Sequence, residues 1–314
     1  MNRKDIFYQD KQNCQIPFSH IMDKISNPSL IAIDELYGAA DVLSIYNAET
    51  HRRILLGLAI VGTLLTIAFL LYSAAALYGI IIACVVFIVF LFIIQKMASR
   101  SECHRKYLEY RVLAETLRVQ FFLSVSGINK RVVDILPWFI RMGIPWIEEI
   151  LQSLPDVEIS ERKSVLNCWI RDQKAYHENA LERAITRKQK DERTTKIVVA
   201  VTILVYVFAV FFEFSIYNTL SADFDANKVR MILKIVLGTM SAVSLFTGSY
   251  YGKMSISDSI DDHKRMVALY EKAEEDILKD GENEELLVFL AREFLIENST
   301  WYAYQTKNKP DILI

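Results

Sequence analysis

Two hydrophobic patterns alternate along the chain. From Ile54 to Ile94 there is no charged residue, and no face of the run is polar. At about 1.5 Å rise per residue, roughly 20 residues cross the hydrocarbon core of a bilayer, so this run is long enough for two spans. The small-residue stretch "YSAAALYG" (72–79) permits a tight hairpin and places the spans near 54–72 and 77–95. A second apolar pair follows much later. "KIVVAVTILVYVFAVFFEFSIY" starts at Lys196, and "VRMILKIVLGTMSAVSLFTGSYYG" ends at Gly252. The polar, turn-rich connector "NTLSADFDANK" joins them into a second, less apolar hairpin.

Outside these runs the period is helical. "RKYLEYRVLAETLRVQFFL" sets Leu108, Val112, Leu113, Leu117 and Val119 near one face, with Arg105, Glu109 and Arg111 among the polar positions. Gly127 ends that helix, and Pro137, Gly143, Pro145 and Pro155 punctuate shorter pieces. No Gly or Pro interrupts Ser160 to Lys196, which predicts a long helix running straight into the third span. After the fourth span, Met266, Leu269, Tyr270, Ala273 and Ile277 repeat at helical spacing, and "NEELLVFLAREFLIENSTWYAY" adds one more amphipathic helix. Strand-like alternation is missing. The pattern therefore predicts an all-α, polytopic membrane protein: four transmembrane helices in two hairpins, with a cytoplasmic helical domain built from extensions of the spans. The expected segments are 1–52 (N-terminal, cytoplasmic), 53–96 (hairpin one), 97–195 (cytoplasmic helical domain), 196–252 (hairpin two) and 253–314 (C-terminal cytoplasmic helices).

Basic residues set the expected orientation. Arg52 and Arg53 precede the first span, and Lys96 and Arg100 follow the second. Arg183, Arg187, Lys188, Lys190, Arg193 and Lys196 precede the third, and Lys253 follows the fourth. The first hairpin tip has no basic residue; the second has Lys228 and Arg230, offset by Asp223 and Asp225. Both termini are expected in the cytoplasm. The hydrophobic fraction of 52% is high for a soluble chain, and the net charge of -2 gives no reason to expect direct nucleic-acid binding. The N-terminus lacks the apolar core of a cleaved signal peptide. Four scattered cysteines without a CxxC pair indicate neither a zinc site nor a disulfide framework, and fit a reducing compartment.

Candidate chemistry is sparse. No hydrolase, nucleotide-binding or metalloprotease motif is present, so no catalytic residue, cofactor or metal is assigned. The five histidines are far apart in sequence, although His177 and His263 flank the second hairpin and could meet. Arg111, Glu115 and Arg118 stand at i, i+4 and i+7. They form either an intrahelical ladder or, with Gln120, a ligand or subunit contact, for which the arginine fork suits phosphate. Gly238, Ser241, Ser244 and Gly248 fall close to one stripe of the fourth span, as close-packing positions or as a pore-lining face. Glu213 and Lys234 are intramembrane charges at similar distances from the hairpin tip. They pair, snorkel to the headgroups, or (for Glu213) form an acidic ring favouring cations. The basic run 183–196 is a solvated helix surface or a contact with anionic lipid.

Three segments carry a resemblance: "YRVLAETLRVQFFLSVSGI" (110–128), "CWIRDQKAYHENAL" (168–181) with Trp169, Ile170, Gln173 and Tyr176, and "LAREFLIENSTWYAYQTKNKP" (290–310) with Arg292, Glu293, Glu297, Asn298 and Trp301. Together they resemble prokaryotic transmembrane effectors of anti-phage defence that associate with SLOG sensor domains and with nucleotidyltransferases making cyclic oligonucleotides. The resemblance implies a homo-oligomeric pore in the bacterial inner membrane that responds to a cytoplasmic signal. Many relatives carry a fused sensor. The roughly 50 residues before the first span are too few for one, so sensing is expected to come from a separate sensor protein or from the helical domain itself, with a cyclic oligonucleotide as a candidate signal. A membrane-anchored scaffold that recruits a partner without conducting ions is the alternative, and a housekeeping channel or transporter is a weaker third.

Overall fold

The computed structural model describes residues 27–74, 78–157, 164–212, 214, 226–253 and 256–307. It is 92% helix, without strands among the described residues. In chain order the longer elements are α1 (Pro28–Ala74), α2 (Ile81–Ser101), α3 (Cys103–Val125), α4 (Val132–Ile135), α5 (Trp138–Gly143), α6 (Pro145–Ser153), α7 (Asp172–Phe211), α8 (Ala226–Lys253), α9 (Ile256–Asp280) and α10 (Glu284–Lys307). A 3-10 turn (Tyr78–Ile80) precedes α2, and a π-helical turn (Leu166–Arg171) precedes α7. The described residues fall into two compact units, one drawn from 27–51, 102–181 and 261–307, the other from 52–101 and 182–260.

The second unit holds the apolar helices. α1 and α7 each carry a stretch apolar and long enough to cross a membrane, and so does the α2–α3 segment. Their mean hydropathies are 2.7, 2.2 and 2.7, and only 11%, 0% and 6% of those windows are buried by protein. Ile82, Phe92, Leu204 and Val207 all stand exposed. Apolar surface in water costs about 25 cal/mol per Å², so helices this bare need a lipid solvent. These helices mark the chain as a membrane protein. The expected fourth span corresponds to α8, which carries Lys228, Arg230 and Lys234 in its first half and is not among the three.

The first unit is an ordinary packed core. Asn27 caps α1 by accepting from the backbone N–H of Ser29 (2.9 Å) and Leu30 (3.4 Å), with Pro28 as the first helical residue. The apolar face predicted for α3 is buried through Leu108, Val112, Leu113, Leu117 and Val119. α3 stops where Gly127 takes φ 73, a left-handed conformation that glycine adopts freely. The Ile128 N–H then donates to the Leu123 carbonyl at 3.0 Å, closing the helix end. α10 packs along α3. Trp169, from the π-helical turn, stacks face to face on Phe122 at 4.6 Å and touches Phe294 at 5.6 Å. That turn is held from outside by Glu282, whose carboxylate accepts from Ser164 Oγ and from the backbone N–H groups of Val165 (3.2 Å) and Leu166 (3.0 Å).

Candidate functional site: a half-buried charge network in the helical unit

The polar residues of α3 point into a junction of helices. Arg111 spreads its fork between Asp41 of α1 (3.3 Å) and Glu115 (2.7 Å). Glu115 also accepts from Arg118 at 2.8 Å. Arg118 in turn donates to the Tyr37 hydroxyl (2.6 Å) and to Gln173 Oε1 of α7 (3.2 Å), with its guanidinium 5.3 Å from the centre of the Tyr37 ring. Two cations face two carboxylates, so the cluster is neutral as a whole. The side chains of Arg118 and Asp41 are 13% and 14% exposed, which makes this more than a surface ladder.

The electrostatics follow from that closeness. Burial pushes the Glu115 carboxyl up, but Arg111 and Arg118 outweigh it and hold it below the usual range. Burial disfavours the Arg118 cation, yet Glu115 and Tyr37 more than compensate, so it stays charged. Burial raises the Tyr37 and Tyr270 phenols, which remain neutral. Cys168 is likewise pushed up by burial to about 11, which keeps its thiol protonated and unreactive.

Beside this cluster, the suggested meeting of His177 and His263 occurs. Their Nδ1 atoms lie 3.0 Å apart, close enough for one ring to donate to the other. The contact ties α7 to α9. His177 also lies against Tyr270, with ring centres 5.8 Å apart. Burial and His263 drive the His177 pKa down to about 4. On α10, Glu297 is raised to about 7, first by burial and then by Asp262, although Arg265 stands 3.3 Å away. Among the described residues, no three His, Cys, Asp or Glu side chains are grouped to hold a metal ion.

The remaining candidates separate. Gln120 is buried; it accepts from the Val132 N–H (2.8 Å) and donates to Ser124 Oγ (3.1 Å), so its amide is used inside the fold. Gly238 sits against Leu70 of α1, where an added Cβ would come within 2.7 Å of a Leu70 methyl carbon. Ser241 is exposed, Ser244 is half-buried, and Gly248 lies in α8. Lys234 is exposed on α8, and Glu213 lies outside the described residues. Sequence reasoning placed Tyr270 on a helical face but missed Tyr37, Asp41 and the partners of the largely buried Glu109, which are Arg105 (3.0 Å) and Trp146 (3.1 Å). Ile33, Tyr37 and Ala40 share a helical face of α1, and that spacing was the available signal.

The motif residues serve mainly as packing and clamps. Trp169 and Ile170 are core, Gln173 holds Arg118, Asn298 donates to the Val112 carbonyl (3.3 Å), and Trp301 meets Tyr107 edge-on at 5.9 Å. No protein-family model, curated protein or solved structure matches this chain.

Replacing Arg118 by Ala leaves Glu115, Tyr37 and Gln173 without their shared donor. Thermal unfolding of the detergent-solubilised protein, followed by tryptophan fluorescence, should show a loss of about 3 kcal/mol. A loss of only the few tenths expected of an exposed helix pair would return the triad to a surface ladder. Arg118→Lys keeps the charge but not the fork, and should fall between.

His177 and Glu297 give opposite pH slopes. The folded pKa of His177 lies below its ordinary 6.5, so it costs stability as pH falls from 6.5 towards 4. Glu297 is raised from 4.5, so its contribution is lost as pH rises from 4.5 to 7. In the wild type the two partly cancel. Glu297→Gln should therefore gain stability with rising pH up to about 6.5, and His177→Gln should lose it, by up to about 3 kcal/mol. Unfolding curves that run parallel to the wild type in both variants would contradict these environments.

Proposed function

We propose that the chain is a membrane effector of bacterial anti-phage defence. In this reading it forms an oligomeric pore that permeabilises the inner membrane when a cytoplasmic signal arrives. One observation carries it. α1 and α7 each belong in part to the polar-clamped helical unit and in part to the bare apolar unit, without a break in the helix. A change in the clamps of Tyr37 or Gln173 thus acts on helices that are themselves spans. The resemblance of 110–128, 168–181 and 290–310 to defence effectors supplies the biological setting. In this reading α8 is the fourth span and both termini are cytoplasmic; Gly238 packs against Leu70, and Ser241, exposed one turn further along the same stripe, lines a pore between subunits. The signal, a cyclic oligonucleotide or a separate sensor protein, must bind the open arrangement more tightly to shift the population.

A second reading is a membrane-anchored scaffold that conducts nothing. It is favoured by the apolar side chains that α5 leaves in solvent, Trp138 at 73% and Met142 at 63% exposure.

Planar-bilayer recording on the reconstituted protein distinguishes the two. The effector reading predicts current that rises on adding cyclic oligonucleotides and that Ser241→Trp reduces. Silence under every nucleotide, with a partner protein co-purifying through a surface that Trp138→Ser abolishes, contradicts the pore and favours the scaffold.

A further inference from the structure

α7 changes character at Lys196–Ile197, from charged to apolar. A shallow groove of about 450 Å³ lies at this point, lined by Gln189, Glu192, Arg193, Lys196, Ile197 and Ala200. These positions recur at helical spacing, so they form one face, and all six are exposed. The groove is polar at one end and apolar at the other. Lys196 reaches Glu192 only at 4.0 Å, too long for a good hydrogen bond. Arg193 has no ion pair or hydrogen bond among the described residues and presents its whole fork. Past Ala200 the apolar side continues through Ile203 and Leu204, which are 56% and 67% exposed.

We propose that this groove is a binding site for an anionic phospholipid. The lipid phosphate sits between Arg193 and Lys196, with the Gln189 amide donating to it. One acyl chain runs along Ile197, Ala200 and Leu204. The arginine fork matches two phosphate oxygens, and the lysine adds a second positive charge from the next turn of the helix. A free phosphate would satisfy the cations but leave the apolar end unused. A neutral zwitterionic lipid would fill the apolar end but bring its own cation to Arg193. Only a ligand that is anionic at its head and apolar below it fits both halves. The inference rests on the reading that α7 enters the membrane at Ile197 from the cytoplasmic side.

The test uses the full chain reconstituted in phosphatidylcholine vesicles containing a minority of phosphatidylglycerol. After gentle detergent extraction, the retained lipid is identified by native mass spectrometry. Phosphatidylglycerol should be enriched roughly tenfold over its bulk share, the scale expected of two basic residues partly offset by Glu192. The Arg193→Gln/Lys196→Gln variant should return to bulk composition, whereas Arg183→Gln/Lys188→Gln, outside the groove, should keep the enrichment. Equal retention in all three proteins overturns the site, as does displacement of the lipid by millimolar inorganic phosphate. Alkaline carbonate extraction separates the two layers of the inference. A wild type that stays in the membrane without enrichment loses only the lipid site, and one released by carbonate loses the membrane reading as well.

Discussion

The helical unit depends on keeping the Arg118 guanidinium paired. A cation that is 13% exposed needs an opposite charge and acceptors close by, and here three different helices supply them to its two terminal nitrogens: Tyr37 on α1, Glu115 on α3 and Gln173 on α7. Removing the Glu115 carboxylate leaves a desolvated charge, which costs several kcal/mol; losing Tyr37 or Gln173 removes a charge-assisted hydrogen bond, which costs about 1.5–3 kcal/mol. Arg111 repeats the arrangement one turn earlier and brings in Asp41. Beside this network the rings of Phe122, Trp169 and Phe294 pack α3, the π-helical turn and α10 together.

A second constraint acts elsewhere in the chain. Helices whose apolar windows are almost wholly uncovered are stable only in lipid, where the intrahelical hydrogen bonds satisfy every backbone group. Two solvents thus act on one chain, and α1 and α7 experience both. Arg193 and Lys196 stand where the change happens on α7, and the exposed Ile197 follows at once.

Much of this architecture could be read from periodicity. The uncharged run from Ile54 to Ile94, the buried face of α3 and the uninterrupted course of α7 all rest on repeats that side-chain burial imposes on sequence. The network itself was only half legible. Arg111, Glu115 and Arg118 are visible as a ladder because they sit on one helix, but their partners lie 55 to 81 residues away. An ion pair between helices has no period. The π-helical turn at Leu166 was also invisible: its cap, Glu282, comes from a turn more than a hundred residues later. The proximity of His177 to His263 was suggested by their flanking the same hairpin, whereas the lowered pKa of His177 follows from burial and the 3.0 Å separation, which the sequence does not carry.

Hydrogen exchange on the membrane-reconstituted protein, comparing wild type with Glu115→Gln, tests most directly whether one charge network ties the helices together. The account predicts that residues 33–41 of α1, 111–118 of α3 and 173–180 of α7 lose protection together, because neutralising Glu115 leaves both arginines underpaired. Loss confined to 111–118, with α1 and α7 unchanged, would contradict it.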